Sequence, residues 1–323
     1  MILLTGGSGF IGSVILSYFN RFGIRDVLIV DSFEDNCGSK WKNLLGKNFL
    51  DLCDKKVFLE NLSSINNIDF IIHLGACTDT SIYDVGFFLE NNFNFSKILC
   101  CYAIDKKIPF IYASSAATYG AGCLGFNDSI ESIHKLKPLN PYGFSKHIFD
   151  LWLINQYMKP IKWAALKFFN VYGPNEYHKG QMASMVYQIY NQLKLNGSIK
   201  LFKSNSEDIT DGEQKRDFVY VEDIAKIIYN MFVGKFKNDI YNVGVGKSES
   251  FNELAHLIMH FSGINGKIIY VDIPDSFKEN FQNYTKANNM KLIDNKLIDK
   301  FTNLEEGVEI YIKNYLQNRV KYY

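Results

Sequence analysis

Apolar residues in the first half of the chain gather in short runs, each closed by small or polar residues, as the buried strands of a parallel sheet do. Ile2-Leu3-Leu4 is the first run, followed by a Gly-rich turn and a helix to about Phe22. Val27-Leu28-Ile29-Val30 is the second and ends at Asp31. Asp69–Ala76, Ile108–Tyr112 and Trp163–Phe168 read as further strands. Helices are expected between them, from about Asp84 to Asp105 and from Tyr142 to about Tyr157. This alternation predicts an α/β fold, a doubly wound parallel sheet.

Past residue 168 the pattern changes. A helix to about Leu195, an edge strand at Lys200–Phe202 and an exposed polar loop at Ser204–Glu213 are expected. Arg216–Asp223 opens another helix, Tyr241–Gly246 with Ser248–Ser250 reads as strand, turn and N-cap, and a last helix spans Leu304–Leu316. The organisation expected is a first domain over 1–168, to which about 216–246 returns. A smaller, mostly C-terminal α/β domain over 169–323 packs closely on it, with the site between them.

Composition narrows the classes. The chain has 323 residues, 47% of them hydrophobic, which excludes a disordered chain. The net charge of +1 with scattered Lys and Arg gives no nucleic-acid surface. No apolar run approaches the ~18 residues of a membrane span, and the first residues read as a strand and not as a signal peptide. Six cysteines (37, 53, 77, 100, 101 and 123) show no CxxC spacing. Reduced thiols, a cytoplasmic enzyme and no metal site are expected.

The first strand runs into Thr5-Gly6-Gly7-Ser8-Gly9-Phe10-Ile11-Gly12. Gly7-x-Gly9-x-x-Gly12 between strand and helix is a dinucleotide fingerprint, because glycines permit the tight turn and the approach of a pyrophosphate to the helix N-terminus. Asp31 stands nineteen residues beyond Gly12, the place of an acid on the adenosine ribose. An acid there favours a free 2′-hydroxyl, whereas Lys40 and Lys55 could reach a 2′-phosphate, so the residues are divided between NAD and NADP. Leu74, Gly75 and Ala76 close their strand with small residues, as a cofactor lying across it requires. His73, inside the apolar run, reads as a core histidine.

Tyr142-x-x-x-Lys146 places a phenol and an ammonium one turn apart on a helix, and Ser115 ends the strand before it. Bringing a phenol from a pKa near ~10 to neutrality takes roughly 4 kcal/mol. One ammonium ~4 Å away at an effective dielectric of about 20 supplies energy of that order. Lys146 is therefore expected to make Tyr142 a base, with Ser115 holding a substrate hydroxyl in line with it.

Thr5-Gly-Gly-x-Gly-Phe-Ile-Gly12, Ser115, Tyr142-x-x-x-Lys146, Asn170-Val-Tyr-Gly-Pro174 and Arg216-Asp-Phe-Val-Tyr-Val221 together resemble the extended short-chain dehydrogenase/reductases that modify nucleotide sugars on a Rossmann fold. Tyr112–Gly120, Phe169–Pro174, His178-Lys-Gly-x-Met-Ala-Ser184, Lys200-Leu-Phe202 and Lys215-Arg-Asp-Phe218 are similar to the ADP-heptose 6-epimerase family within them. The resemblance implies oxidation of C6″ of an ADP-heptose with bound NADP, return of the hydride to the other face, and a product used in lipopolysaccharide core synthesis. It makes Tyr142 and Lys179 the two acid/bases. It assigns Gly6, Gly9, Phe10, Ile11, Gly12, Asp31, Ser32, Lys40, Lys55, Leu74, Gly75, Ala76, Cys77, Asn91, Lys146, Val171 and Lys179 to the cofactor. To the substrate it assigns Ser115, Asn170, Gln181, Gln188, Phe202, Lys203, Ser204, Asn205, Arg216 and Phe281, with the Arg216 guanidinium on the diphosphate. It also implies a homo-oligomer, a pentamer.

The chain departs from that family at Gln181, Gln188 and Phe281, where Ser, His and Tyr are usual, and by an acidic insertion between Ser204 and Arg216. These positions bear on which sugar is accepted. A UDP-hexose 4-epimerase would share Ser115 and Tyr142 but would not need Lys179. A 4,6-dehydratase would carry Thr-Asp-Glu in place of Ser-Ala-Ala at 115–117. A non-catalytic dinucleotide sensor would have lost the Tyr or the Lys.

Overall fold

A computed structural model describes residues 1–33, 38–274 and 282–323. Seven parallel strands form the main sheet in the order β3-β2-β1-β4-β5-β6-β11. They are β1 (Ile2–Thr5), β2 (Val27–Asp31), β3 (Asp51–Asp54), β4 (Phe70–His73), β5 (Phe110–Ser115), β6 (Trp163–Phe168) and β11 (Asp239–Val243). Register places Thr5 beside Val30 and His73, and Ser115 beside Phe168. The strands thus end together along one edge, and the order reverses between β1 and β4, where an open α/β sheet leaves a crevice.

Helices cover both faces. On one face α1 (Phe10–Arg21) buries Val14, Ile15 and Leu16 in the same core as Ile224, Ile227 and Ile228 of α8 (Val221–Val233). Beyond the edge strand β3, α2 (Lys55–Asn61) follows directly. The other face carries α3 (Val85–Phe88), α4 (Phe95–Lys106) and α6 (Pro141–Asn155); a single turn, α5 (Ile130–Ile133), precedes α6. The start of α6 follows from its sequence: Pro141 occupies its first turn and the Asn140 Oδ1 accepts from the Gly143 N–H at 2.8 Å, a cap worth about 1 kcal/mol.

A third core belongs to the smaller lobe, where Val186, Ile199, Tyr220, Leu254 and Val308 are buried together. Here β7 (Asn170–Tyr172) pairs with β10 (Phe218–Tyr220), and β8 (Ser198–Phe202) pairs with β13 (Lys267–Val271), both in parallel. A further pair joins β9 (Lys215–Arg216) to β12 (Glu249–Ser250). The helices are α7 (Met185–Asn196), α9 (Phe251–Ser262), and a last one over Leu304–Tyr311 continued by a π turn to Leu316. Ser250 caps α9 by accepting from the Glu253 N–H.

Several elements differ from the reading of the apolar pattern: β3, α2 and β13 were not expected, and β9 and β10 occupy 215–220, so that α8 begins only at Val221. The helix expected over 84–105 is broken by a π turn at Leu89–Asn94, which leaves the buried Asn92 free of the helical ladder's register. The strand expected over 69–76 stops at His73, so Leu74, Gly75 and Ala76 are loop. No helix of the described residues is long and apolar enough to cross a membrane.

Candidate active site

The crevice at the strand ends holds a cavity of about 650 Å³ that runs from Asp31 and Lys40 to Tyr142, Lys146 and Lys179. At one end glycine is obligatory. Gly6 has φ of +69°, and a Cβ there would stand 2.8 Å from the Gly75 nitrogen; a Cβ on Gly12 would stand 2.2 Å from the Gly6 oxygen. Gly6, Gly9, Phe10, Ile11, Gly12, Leu74, Gly75, Ala76 and Cys77 line this end.

Asp31 ends β2 with its carboxylate engaged. One oxygen accepts from the Ser8 N–H at 2.9 Å and the Ser8 hydroxyl; the other accepts from the Ser32 N–H at 2.8 Å and the Lys40 ammonium at 2.5 Å. Lys40 also donates to the Ser32 carbonyl at 2.9 Å. A cation therefore lies on the acid at the position where an adenosine ribose is read.

Ser115 ends β5 and lines the cavity beside Tyr142 of α6; its hydroxyl accepts from the Ala117 N–H at 3.1 Å. Burial raises the phenol above its ordinary range, and the nearby Ser115 hydroxyl acts in the opposite direction. The Lys146 ammonium donates to the Ala113 carbonyl at 3.0 Å. Burial pushes Lys146 down to about 8, while Asp150 and Cys77 favour its charge. Lys146 is expected to make Tyr142 a base with a nearby oxidised nicotinamide adding to its effect; in the chain without cofactor, desolvation holds the phenol above its ordinary range.

Lys179 projects from the 173–184 loop with its ammonium 5.9 Å from the Phe10 ring centre. Burial lowers its pKa, and Glu176 opposes that. Asn170, Val171, Glu176, His178 and Met182 line the same wall. The loop is strapped to the dinucleotide end: the Asn43 amide donates to the Ser8 and Asn175 carbonyls, each at 3.0 Å, and the Asn175 amide donates to the Ser13 hydroxyl at 2.9 Å.

Two buried polar residues, Asn92, which the sequence reading left without a role, and His73, tie together elements behind the wall. The Asn92 side chain accepts from the Cys77 N–H at 2.8 Å and donates to the Cys77 carbonyl and the Ser145 hydroxyl, both at 3.0 Å, joining the β4 loop to α6. His73 is a core histidine. It bridges the Thr5 and Ser96 hydroxyls at 2.7 and 2.8 Å, and burial holds its pKa well below the usual range. Asn92 stands among Glu90, Asn91 and Asn94, so nothing local singled it out.

All four residues expected to carry the chemistry, Ser115, Tyr142, Lys146 and Lys179, meet in the cavity. Several others do not reach its wall. Lys55 donates to the Asn91 amide oxygen at 3.0 Å, and Ser32 contributes its N–H to Asp31. Gln188 braces its own loop by donating to the Gln181 and Ala183 carbonyls at 2.9 and 2.7 Å. Lys203 pairs with Asp272 at 3.0 Å, the Ser204 N–H binds Asp211 at 2.8 Å, and Phe202 and Asn205 are exposed. The buried Arg216 guanidinium donates to the Lys215 carbonyl at 3.0 Å and to the Gln282 carbonyl, 5.4 Å from the Phe251 ring centre. Phe281 lies outside the described residues.

A glycine cradle at the switch point of a parallel sheet, followed by Ser115, Tyr142 and Lys146, defines a nicotinamide-dinucleotide epimerase or dehydratase. The model of the NAD dependent epimerase/dehydratase family matches residues 2–244. Relatives named ADP-L-glycero-D-manno-heptose-6-epimerase are 44% identical in Fusobacterium nucleatum, over all of both chains, and 39% in Nitratidesulfovibrio vulgaris, over 98% of each. The chain belongs to this epimerase family. Among solved structures, the Helicobacter pylori protein of that name superposes with a TM-score of 0.82 at 30% identity, covering 97% of this chain and 95% of the other. A UDP-N-acetylglucosamine 4-epimerase from Methanobrevibacter ruminantium gives 0.80 at 25% identity, covering 97% and 98%.

Proposed function

We propose that this chain inverts C6″ of ADP-D-glycero-D-manno-heptose to give the L-glycero epimer through a transient 6″-ketone, as a step toward lipopolysaccharide core, with NADP as the resident cofactor. The observation that carries the reading is the meeting of Tyr142 and Lys179 in one cavity with the glycine cradle.

The cradle fits a dinucleotide: Gly6, Gly9 and Gly12 leave backbone exposed to a pyrophosphate, and Asp31 with Lys40 lies where the adenosine ribose would come. When bound, the nicotinamide takes a hydride from C6″ and returns it. Lys146 would hold its ribose. Ser115 orients the sugar hydroxyl toward Tyr142, and Tyr142 exchanges its proton. Inversion requires the carbonyl to present its other face to a fixed ring, which carries its oxygen away from Tyr142. Lys179, on a different element of the same wall, serves the oxygen in that second position. Lys40 beside Asp31 supports a 2′-phosphate over a free hydroxyl.

Incubation with ADP-D-glycero-D-manno-heptose and chromatography of the two epimers tests the reading. Approach to a mixture of both epimers from either side, with no net change in cofactor oxidation state, is expected. A substrate left unchanged while a UDP-hexose is epimerised would replace it.

A further inference from the structure

Glu176 is fully buried, three residues before Lys179, and on the wall of the cavity. Its Oε1 accepts from the Gly173 N–H at 3.3 Å and the Ser184 hydroxyl at 2.8 Å, and its Oε2 accepts from the Ser184 N–H. One carboxylate thus ties both ends of the 173–184 loop. Inside the loop the Lys179 N–H bonds the Glu176 carbonyl at 3.0 Å and the Ala183 N–H bonds that of Gly180 at 3.2 Å. The loop makes short 3-10 turns over Tyr177–Met182 interrupted at Gly180, with positive φ at Gly173, Asn175 and Gly180, so an internal anchor decides its shape.

These three donors are neutral, and a neutral amide could meet them with less desolvation than a carboxylate. The charge has a use nearby. The groups facing Lys179 are Glu176 and His178 from its own loop, Cys77 and Asp79 from the loop after β4, Tyr142 and Lys146 from α6, and, further along, Asp31 and Lys40. Burial works against the Lys179 cation, and Glu176 is the foremost influence that favours it; burial likewise raises Glu176, which the Ser184 and Gly173 donors and Lys179 oppose, and the Tyr311 phenol of the last helix faces the same carboxylate.

We propose that Glu176 is a positioning residue: its carboxylate closes both ends of the loop that carries Lys179 and so holds that side chain on the cavity wall. The inference rests on the reading of Lys179 as the second acid/base.

Wild type, Glu176→Gln, Lys179→Met and the double variant are compared for epimerisation rate against pH and for bound cofactor. The limb of the pH profile that disappears in Lys179→Met belongs to Lys179. Glu176→Gln is expected to keep its cofactor, to lose about tenfold or more in rate but no more than the 10²–10⁴ that an acid/base is worth, and to move that limb to lower pH. In the double variant the loss should equal that of Lys179→Met alone. Ser184→Ala, which loosens the clamp and keeps the charge, and Glu176→Asp should leave the limb where it is, and they decide the matter if Glu176→Gln does not fold. An unmoved limb in Glu176→Gln, a moved limb in Ser184→Ala, or additive losses in the double variant would overturn the inference while Lys179→Met stays inactive. A Lys179→Met of near-normal rate would remove the second acid/base itself, and this inference with it.

Discussion

The Lys40 ammonium stands 2.5 Å from the Asp31 carboxylate, which also accepts from Ser8 and Ser32. A fully engaged acid is a weak acceptor for a ribose 2′-hydroxyl, whereas an ammonium at its side can receive a 2′-phosphate. Lys40→Ala is therefore expected to weaken NADP at least about tenfold, or ~1.4 kcal/mol, and to leave NAD within a few-fold. Titration of the stripped protein with each cofactor measures this; equal losses for both would return Lys40 to a loop-bracing role.

Lys146 gives a dependence on pH with a definite sign. Its folded pKa is lowered to about 8, below the 10.5 of an unperturbed lysine. Between those values the unfolded chain holds the proton and the folded site releases it, so stability rises with pH there. Below pH 8 the buried charge costs about 3 kcal/mol. Lys146→Met is expected to abolish epimerisation in the cofactor-loaded protein, and in cofactor-free protein to melt higher than wild type at pH 7, with the difference narrowing toward pH 10. A lower melting temperature at pH 7 would show that the bond to the Ala113 carbonyl outweighs desolvation.

Asn92 secures Cys77 through both of its backbone groups. Asn92→Ala would leave a buried N–H and C=O without partners, a loss of about 1–3 kcal/mol. Lower thermal stability together with reduced cofactor content is expected, because Cys77 and Gly75 share the loop. Unchanged cofactor content would confine Asn92 to the scaffold.

Much of this was legible because the chemistry sits where apolar runs stop. Leu4, Val30 and Tyr112 each lie at or near the end of an apolar run, which brings Gly6, Asp31 and Ser115 to one edge. Tyr142 and Lys146 share a helix, so their spacing alone pairs them. Other parts had no local signal. The strand β3 reads Asp-Leu-Cys-Asp and is mostly exposed, and β13 depends on β8 for its partner. The role of Asn92 depends on a π turn that helical periodicity hides. Glu176 sits in an irregular loop, where only the fold brings Ser184 back onto it.

Arg216 was expected as a fork suited to a diphosphate; its buried guanidinium, lowered to about 10 by desolvation, donates to the Lys215 and Gln282 carbonyls, so it also has a structural part. Arg216→Ala is expected to raise KM for the nucleotide sugar at least about tenfold and also to lower the melting temperature, with cofactor content unchanged. A lower melting temperature with unchanged KM would make Arg216 purely structural.

The two-acid/base account is tested most directly by the epimerisation rate of Lys179→Met measured beside Tyr142→Phe, each shown to retain its cofactor. Each is expected to fall by about 10²–10⁴, and mixing the two proteins should restore nothing, since both groups serve one sugar in one cavity. Epimerisation by Lys179→Met at near the wild-type rate would contradict the account and leave Tyr142 as the sole acid/base.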